Sequence, residues 1–491
     1  MDSSKLIKSN NKAFTLIELL VVIAILAILV LLATSKFLGQ TDKARLRHIQ
    51  NDIKGYETAI AVELLENSDL FNSWNKVYGD ELDDYIDAGQ LYSKEGLVEE
   101  MLTEEHYEVD KSLVRTNLDG RFIVGTGGEV YYVDESSGGE RSNRPLSDSQ
   151  IEALIEEGYI PIATAEELDH IAKNNNEPII YGKGTKWETD EPIVGSLSSN
   201  YIQVRDINMS DLDDHNGKYN FTPIGDSSNP FKGTFNGNRY KIYNLFIDRE
   251  EKYNGLFGYV ESSSTIENVA LYNVDVTGLK YTGSLVGWIK SSEIKNSYAI
   301  GKVVSSGTYS GGLAGIARYT DISRSYAKVS VVGGEQVGGL IGYAMNSNIK
   351  EAYATGNVDG GAYAGGLIGK MESSLATDSY STGNVNGGNG SGGLVGLLSR
   401  GDIYRSYSTG KVSGSGSTGG IAGSRNNSGF SKGTISSSFF DKDTSGQVQY
   451  RDEGKSTSEM QDKSTFTNSG WDFQNVWEIT PGNYPTLINN P

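Results

Sequence analysis

One carboxylate lies where an apolar environment makes a charge costly. Glu18 directly precedes an apolar run from Leu19 to Ala33. The 20 residues from Phe14 to Ala33 are, as a helix, long enough to span a bilayer. An ionised carboxylate inside a spanning helix costs about 2.5 kcal/mol or more, so a residue of this kind predicts a function. A positively charged partner would offset that cost, and loss of either partner would leave a buried charge unpaired.

Two ordinary interpretations of this segment explain only part of it. Lys5, Lys8 and Lys12 precede the run, so the N-terminus should stay in the cytoplasm and the rest of the chain should lie outside. A secretory signal peptide has a shorter apolar core and a small-x-small cleavage site, which this run lacks. A plain membrane anchor fits the length but leaves Glu18 unexplained.

A third interpretation accounts for both the length and the acid. The run KAFTLIEL, from Lys12 to Leu19, resembles the type IV prepilin signal. That resemblance implies cleavage by prepilin peptidase between Ala13 and Phe14, methylation of the new amino terminus at Phe14, and a role for Glu18 in filament assembly. In the family the acid meets the charged amino terminus of a neighbouring subunit. The family usually has Gly before the cleavage site, where this chain has Ala13.

A second group of oxygen-bearing residues is typical of a cation loop. Asp441, Asp443 and Ser445 alternate before Gly446, and Asp452 stands at loop position twelve. This spacing resembles a calcium-binding loop, which would make Ca²⁺ the one cofactor to consider. The flanking residues do not predict paired helices, and a tight turn after a strand suits the same residues, so both interpretations stay open.

The sequence contains little that indicates catalysis. Asp213 and Asp214 could act as paired carboxylates in a groove, but nothing fixes the separation that glycoside hydrolysis requires. With Asp206 and Asp211 they are better explained as a solvated loop. The four histidines form no HExxH motif, and the chain has no cysteine. We therefore expect a protein that is not an enzyme.

The N-terminal third should be a helix followed by a small α+β domain. We expect a leader at 1–13, a helix at 14–67 with 14–35 in the membrane or the filament core, a pilin-like head at 68–144 and a polar linker at 145–160. Residues 97–102 suit a short helix. Arg121–Gly125 and Glu129–Val133 flank a Gly-rich turn and predict a hairpin.

The remainder, 161–491, is dominated by a repeat. A Gly-flanked apolar residue occurs at 256, 285, 313, 340, 367, 394 and 421, so the spacing settles at 27 residues. A tyrosine follows thirteen residues later in five repeats, at 298, 326, 353, 380 and 407. This period predicts a solenoid of short strands. The tyrosines should form a stacked ladder, with sugar stacking as the alternative.

The repeats resemble the GLUG motif of bacterial surface proteins, and the likeness extends over about 160–490. It implies a parallel β-helix, often on adhesin-like proteins, and it assigns no ligand. The expected fold class is therefore mixed: a long N-terminal helix with a small α+β head, then an all-β solenoid of about 27-residue coils.

These features predict a modular minor type IV pilin with an adhesive β-helix at or near the pilus tip. Its partners would be other pilin subunits, prepilin peptidase, the cytoplasmic membrane before assembly, and host or surface glycans or proteins. A net charge of −20 disfavours nucleic acid. Two alternatives stay open: a pseudopilin of a secretion or DNA-uptake machine, and a surface carbohydrate-active enzyme on a pilin anchor.

Overall fold

The computed structural model describes residues 145–174, 177–212, 219–426, 433–447 and 454–488, together with the backbone of five strands between residues 91 and 134. The predicted helix at 14–67 lies outside these residues. None of the helices in the described residues is long and apolar enough to cross a membrane. The chain divides into two compact units, Met1–Pro145 and Leu146–Pro491.

The five strands of the first unit form one antiparallel sheet. They are Leu91–Ser93, Gly96–Leu97, His106–Val109, Gly120–Gly125 and Val130–Asp134, and their order in the sheet is second, first, fifth, fourth, third. Gly120–Gly125 pairs antiparallel with Val130–Asp134, at the two segments for which the sequence predicts a hairpin. Leu97, where the sequence predicts the start of a short helix, ends a strand instead. Residues 98–102 lie outside the described part.

The second unit starts with a helical cap. Helix α1 (Asp148–Glu156) and helix α2 (Ala165–Ala172) flank the strand Tyr159–Ile162, which pairs parallel with Asn200–Gln203. Capping boxes begin both helices, with Ser147 and Gln150 at α1 and with Thr164 and Glu167 at α2. Leu168 and Ile171 of α2 belong to the main hydrophobic core.

Part of the range 145–160 is therefore ordered, although the sequence predicts a linker there. Ile151 of α1 is buried and packs with Ala163, Ile202 and Val204. A short helix gains most of its stability from such packing rather than from its own propensity. The polar composition of the stretch conceals the apolar residues that dock on the first coil.

The body of the second unit is a parallel β-solenoid, which confirms the predicted repeat fold. One sheet stacks seven strands: Phe257–Val260, Val286–Lys290, Ala314–Arg318, Ile341–Met345, Ile368–Glu372, Val395–Ser399 and Ala422–Asn426. A second stacks ten: Tyr159–Ile162, Asn200–Gln203, Thr234–Asn236, Thr265–Glu267, Glu293–Lys295, Asp321–Ser323, Asn348–Lys350, Leu375–Thr377, Asp402–Tyr404 and Thr434–Ser436.

The remaining side of each coil is formed by strands that also pair in parallel from coil to coil, long in the first coils and short in the later ones. They are Ile207–Asn208, Lys241–Tyr243, Phe246–Asn254, Ala270–Thr282, Tyr298–Ser305, Ser310–Gly311, Tyr326–Val332, Val337–Gly338, Tyr353–Ala354, Val358–Asp359, Ala364–Gly365, Tyr380–Ser381, Val385–Gly387, Ser391–Gly392, Tyr407–Ser408, Val412–Gly414, Thr418–Gly419, Phe439–Asp441 and Gly454–Lys455. One 3₁₀ turn, Met209–Leu212, lies beside the first coils.

The glycines of the repeat are required by contacts between coils. In the fourth repeat a Cβ on Gly338 would lie 2.0 Å from the carbonyl oxygen of Ile341, and a Cβ on Gly339 would lie 2.1 Å from that of Gly366. A Cβ on Gly342 would lie 2.6 Å from the backbone of Tyr309, which crosses over it. None of these three approaches leaves room for a side chain. The motif is therefore a consequence of chain crossing at this corner.

The interior of the solenoid is apolar. The central residues of the repeats, from Leu256 to Ile421, are almost completely buried and stack in one column, as the sequence predicts. Burying a leucine contributes about 1.5–3 kcal/mol, so this column is a main source of stability. At the corners, buried serines accept hydrogen bonds from the backbone of the preceding coil, for example Ser379 N–H to Ser406 Oγ at 3.2 Å.

The chain then turns back along the outside of the solenoid. Residues 454–488, called the C-terminal segment below, contain the helices Thr457–Met460 and Lys463–Thr467 and an antiparallel pair of short strands, Trp477–Glu478 and Thr486–Leu487. A single helical turn, Lys442–Ser445, comes before it.

Candidate functional site

The predicted processing and assembly residues cannot be placed relative to the fold. Ala13, Phe14 and Glu18 lie outside the described residues. Their roles stay predictions that rest on the N-terminal sequence. The candidate calcium loop is described in part, up to residue 447.

Asp441 of that loop already binds four donors. Its Oδ1 accepts the backbone N–H groups of Asp443 and Thr444 at 2.8 and 3.1 Å, so it caps the following helical turn. Its Oδ2 accepts the hydroxyls of Thr457 and Tyr484 at 2.7 and 2.6 Å. A cation at these oxygens would have to displace donors that fasten the C-terminal segment.

The other predicted ligands do not gather around Asp441. Asp443 Oδ2 accepts the backbone N–H of Thr457 at 2.9 Å, and Ser445 Oγ accepts the backbone N–H of Gln447 at 3.2 Å. No group of three His, Cys, Asp or Glu side chains suited to a metal ion occurs in the described residues. Asp452 lies outside them, so calcium binding stays a prediction.

The periodic tyrosines form the stacked ladder that the sequence predicts. From Tyr298 to Tyr407 the ring centroids are 4.5–5.0 Å apart and the ring planes differ by 5–8°. Burial raises the pKa of each ladder hydroxyl from Tyr298 to Tyr407. Because each ring covers the face of the next, the faces inside the ladder are not available to a sugar. The alternative interpretation, in which the faces of these tyrosines stack on sugars, is therefore wrong for the rings inside the ladder.

The C-terminal segment covers the distal half of this ladder. Tyr380 and Tyr407 pack with Phe466, Trp471 and Trp477 in one buried cluster. Tyr407 Oη donates to the carbonyl of Pro485 at 2.6 Å, across 78 residues of sequence. The segment is thus bound to the ladder by both packing and a buried hydrogen bond.

Asp378 links the segment to the solenoid electrostatically. Its carboxylate is 1% exposed and forms a two-point ion pair with Arg405 of the next coil, at 2.7 Å to Nε and 2.6 Å to the second nitrogen. The indole N–H of Trp477 donates to the same carboxylate at 3.2 Å. Sequence reasoning missed this residue, because one Asp at a coil corner has no distinguishing pattern.

A second aromatic group lies on the outside of the early coils. It comprises Tyr253, Tyr281 and Tyr309 in one column and Tyr259, Trp288 and Tyr343 in the next, and is called the outer aromatic surface below. The first column is stacked, with centroids 5.0 and 5.5 Å apart. Trp288 meets the ring of Tyr281 nearly at right angles, at 5.0 Å. Except for Tyr343, these rings are half-exposed.

The first column occupies a backbone conformation that disfavours tyrosine. Tyr253, Tyr281 and Tyr309 have φ angles of 68°, 58° and 67°, in the left-handed region that glycine and asparagine prefer. At the equivalent position the fifth coil has Tyr363 with φ 63°, and the sixth coil has Gly390, which shows that a smaller residue fits there. Bulky residues held at positive φ cluster at functional sites, so this column is a candidate for one. The sequence contains a pattern that could have revealed this column, because each of the three tyrosines stands two residues before a motif glycine.

The acidic cluster proposed as a catalytic alternative is described in part. Asp206 Oδ1 accepts the backbone N–H of Lys241 at 2.7 Å and so supports the turn between two coils. Asp213 and Asp214 lie outside the described residues.

Two family models match parts of the chain. Residues 8–34 match the prokaryotic N-terminal methylation motif, and residues 333–359 match the GLUG motif. The second match falls on one coil of the solenoid and includes the glycines whose contacts are described above.

The similar curated proteins share short segments with the chain. A provisionally named Gly-rich membrane protein of Evansella cellulosilytica is 48% identical over 65 residues, 12% of this chain and 7% of the relative. Halomucin of Haloquadratum walsbyi is 42% identical over 96 residues, 19% of this chain and 1% of the relative. The chain therefore spans a small fraction of both relatives.

Two solved structures resemble the chain weakly. One, provisionally named an immunoglobulin A1 protease from Bacteroides ovatus, is 17% identical with a TM-score of 0.43 and covers 67% of this chain and 92% of its own. The other, an IgA1 protease, is 18% identical with a TM-score of 0.42, and the match covers 78% of this chain and 28% of that protein. Similarity at this level assigns neither a fold nor an activity.

The N-terminal motif and the coil motif fall on separate parts of the chain, the first before the described residues and the second inside the solenoid. The chain therefore combines a prokaryotic N-terminal methylation motif, the motif of type IV prepilins, with a β-solenoid module that contains a GLUG motif.

Proposed function

We propose that the chain is a modular minor pilin that displays its solenoid as an adhesive module at or near the tip of a type IV pilus. The observation that carries this proposal is the pairing of an N-terminal methylation motif with a unit, Leu146–Pro491, more than twice as long as the part before it. Prepilin peptidase would cut before Phe14, and Phe14–Ser35 would anchor the chain in the cytoplasmic membrane before assembly.

Size and charge support a position at the tip. A module of this length on every subunit would crowd a filament. Copies that each carry part of a net charge of −20 would also repel one another at close spacing. A single copy at the tip avoids both costs and presents the solenoid to the surroundings.

The side-chain chemistry supports binding rather than catalysis. Burial raises the pKa of Glu167, yet its carboxylate is held by the backbone N–H groups of Ala163 and Lys183 at 2.6 and 2.9 Å, which is a helix-capping role. The pKa of Glu372 is lowered chiefly by a hydrogen bond from Tyr343 within an ion-pair network. Both shifts have a structural cause, so we propose that the chain is not an enzyme.

Immunogold labelling of sheared pili with antibody against the solenoid tests the position. We expect label at filament tips, and an antibody against the major pilin supplies the control for labelling along the whole fibre. Even labelling by the solenoid antibody along the fibre would contradict the tip assignment. Pili from a strain deleted for the chain should carry no label and should let the cells adhere less.

A further inference from the structure

The outer aromatic surface is a local feature of the early coils. Its second column contains Tyr259, Trp288 and, after Ile316 in the third coil, Tyr343. The same position in the next three coils carries Lys370, Leu397 and Ser424. The solenoid core requires only the inward positions. A half-exposed ring recurs at the first-column position of the fifth coil, Tyr363, but the sixth and seventh coils stack without aromatic rings in either column. The fold therefore does not explain why five half-exposed rings gather in coils one to three.

Lys280 lies over this surface, and Arg318 lies beside it on the strand that pairs with that of Trp288. Lys280 Nζ is 4.8 and 5.3 Å from the ring centres of Tyr281 and Tyr309, and the guanidinium of Arg318 is 5.2 Å from that of Tyr319. In the described residues neither forms an ion pair, whereas the neighbouring Lys290 and Lys302 pair with Glu261 and Asp275. Unpaired cations on a chain of net charge −20 mark a spot where an anion is favoured.

Two buried N–H groups at this surface have no acceptor among the residues that the structure describes. The indole Nε1 of Trp288 and the Nε of Arg318 are buried and have no hydrogen-bond partner in the described part of the chain. Buried donors are normally satisfied, so an unpaired pair at one surface calls for an acceptor. A carboxylate or sulfate oxygen would supply it after a small turn of the half-exposed ring or guanidinium.

Further cations line a cavity at the N-terminal end of the surface. The cavity has a volume of about 320 Å³ and is lined by Tyr253, Arg249 and Lys252, together with Asn229 and Asp226. Arg249 pairs with Glu251 at 3.3 Å. Amide, carboxylate and guanidinium groups beside an aromatic ring can bind hydroxyls, each of which both donates and accepts. The cavity therefore extends the surface with groups suited to a polyhydroxylated chain.

We propose that the outer aromatic surface binds an acidic polysaccharide. The rings would contact the apolar faces and edges of the sugars, and Lys280 and Arg318 would pair with carboxylate or sulfate groups. This assignment rests on the proposed adhesive function and names the ligand class and the face of the module that would perform it.

Binding of the full-length chain in detergent to defined polymers tests the proposal. Polygalacturonate and chondroitin sulfate are the acidic probes, dextran is the neutral one, and vesicles of phosphatidylcholine with phosphatidylglycerol test a membrane instead. We expect binding to the acidic polymers that weakens as NaCl rises, because the charge pairs are screened. Dextran and vesicles should bind far less.

Two variants locate the contact. Trp288→Ala removes a ring, and Lys280→Gln removes one charge without changing the stacked rings; each should weaken binding about tenfold, the loss expected for one aromatic or cation contact. Leu397→Ala, in the same column, and Lys411→Gln, a lysine without an ion pair in the described residues, are the matched controls and should bind as the parent does. Thermal unfolding of each variant shows whether the fold is kept.

Four outcomes overturn the proposal: no binding to either acidic polymer, equal binding to dextran, binding to vesicles alone, or unchanged binding by a folded Lys280→Gln variant. The proposed function has a separate outcome. Label along the fibre would remove the tip assignment even if the polysaccharide binds. Tip label with pilus-dependent adhesion but no polysaccharide binding would remove only the ligand assignment.

Discussion

Glu372 is a partly buried carboxylate at the end of Ile368–Glu372, the fifth strand of the seven-stranded sheet. Tyr343 Oη donates to its Oε2 at 2.6 Å, Lys370 Nζ lies 3.0 Å from the same oxygen, and Arg400 pairs with Oε1. The hydrogen bond from Tyr343 is the largest cause that lowers the pKa of Glu372, to about 2 from an ordinary 4.5. The ionised form is therefore favoured in the folded state.

The sign of the pH effect follows from this shift. A folded-state pKa below the unfolded value contributes stability that is present above about pH 4.5 and is lost as the pH falls towards 2. Glu372→Gln removes this contribution, so the urea midpoint of the variant should fall less than that of the parent over this range. Glu335→Gln, an exposed carboxylate elsewhere, should leave the loss unchanged. Parallel curves for parent and Glu372→Gln would contradict the expectation.

Asp378 supports a different prediction at the residue scale. Asp378→Ala leaves Arg405 and the indole N–H of Trp477 without their acceptor, and breaking a buried pair in this way costs about 3 kcal/mol or more. We expect a lower free energy of unfolding and earlier proteolytic cleavage within residues 454–488. Lys302→Ala breaks an exposed ion pair, which is worth about 0–1 kcal/mol, and serves as the control. Equal losses in the two variants would mean that Asp378 is not the link.

At the scale of elements, the coil corner depends on glycine for a steric reason. Gly339→Ala places a Cβ 2.1 Å from the carbonyl oxygen of Gly366, so adjacent coils must separate. We expect a loss above about 3 kcal/mol, the range of severe backbone or packing errors, measured as a lower urea midpoint. At Gly416 a Cβ would lie 2.7 Å from the amide oxygen of the Asn389 side chain and no closer than 3.1 Å to a backbone atom. Gly416→Ala should therefore cost much less, and a similar cost at both positions would refute the steric account.

The parts of the fold that the sequence predicts are those that repeat. The Leu column, the glycine corner and the Tyr298–Tyr407 ladder each recur at one fixed spacing, so periodicity alone assigns them. The C-terminal segment does not repeat, and its contacts join residues as far apart as Asp378 and Trp477. Helix α1 was missed for a related reason: its order comes from docking Ile151 on a distant strand.

The candidate site also has a part that the sequence predicts and a part that only the folded chain shows. The ladder tyrosines could be assigned from their spacing, but their covered ring faces depend on stacking distances that spacing does not give. The outer aromatic surface combines residues from two positions of each coil, and its first column is interrupted by Gln336. Only the path of the chain brings both columns together on one side.

For the whole molecule, the solenoid and the N-terminal motif should act independently. The core of Leu146–Pro491 is formed by its own residues, from Ile160 to Phe440, and is closed at its start by α2. Residues 14–35 are a mainly apolar sequence whose only acid is Glu18, and we predict that they form a helix. A change at Glu18 should therefore alter assembly and leave the module folded.

Glu18→Ala tests this separation. Without the carboxylate, the amino terminus of a neighbouring subunit loses the charge that would neutralise it in an apolar filament core, and leaving one buried charge unpaired costs about 3–5 kcal/mol. We expect the variant to be cleaved and retained in the membrane but absent from sheared pili, while the solenoid unfolds at the parent temperature. Glu335→Ala, on the solenoid surface, should enter pili normally. Parental amounts of Glu18→Ala in sheared pili would show that assembly does not depend on this charge pair.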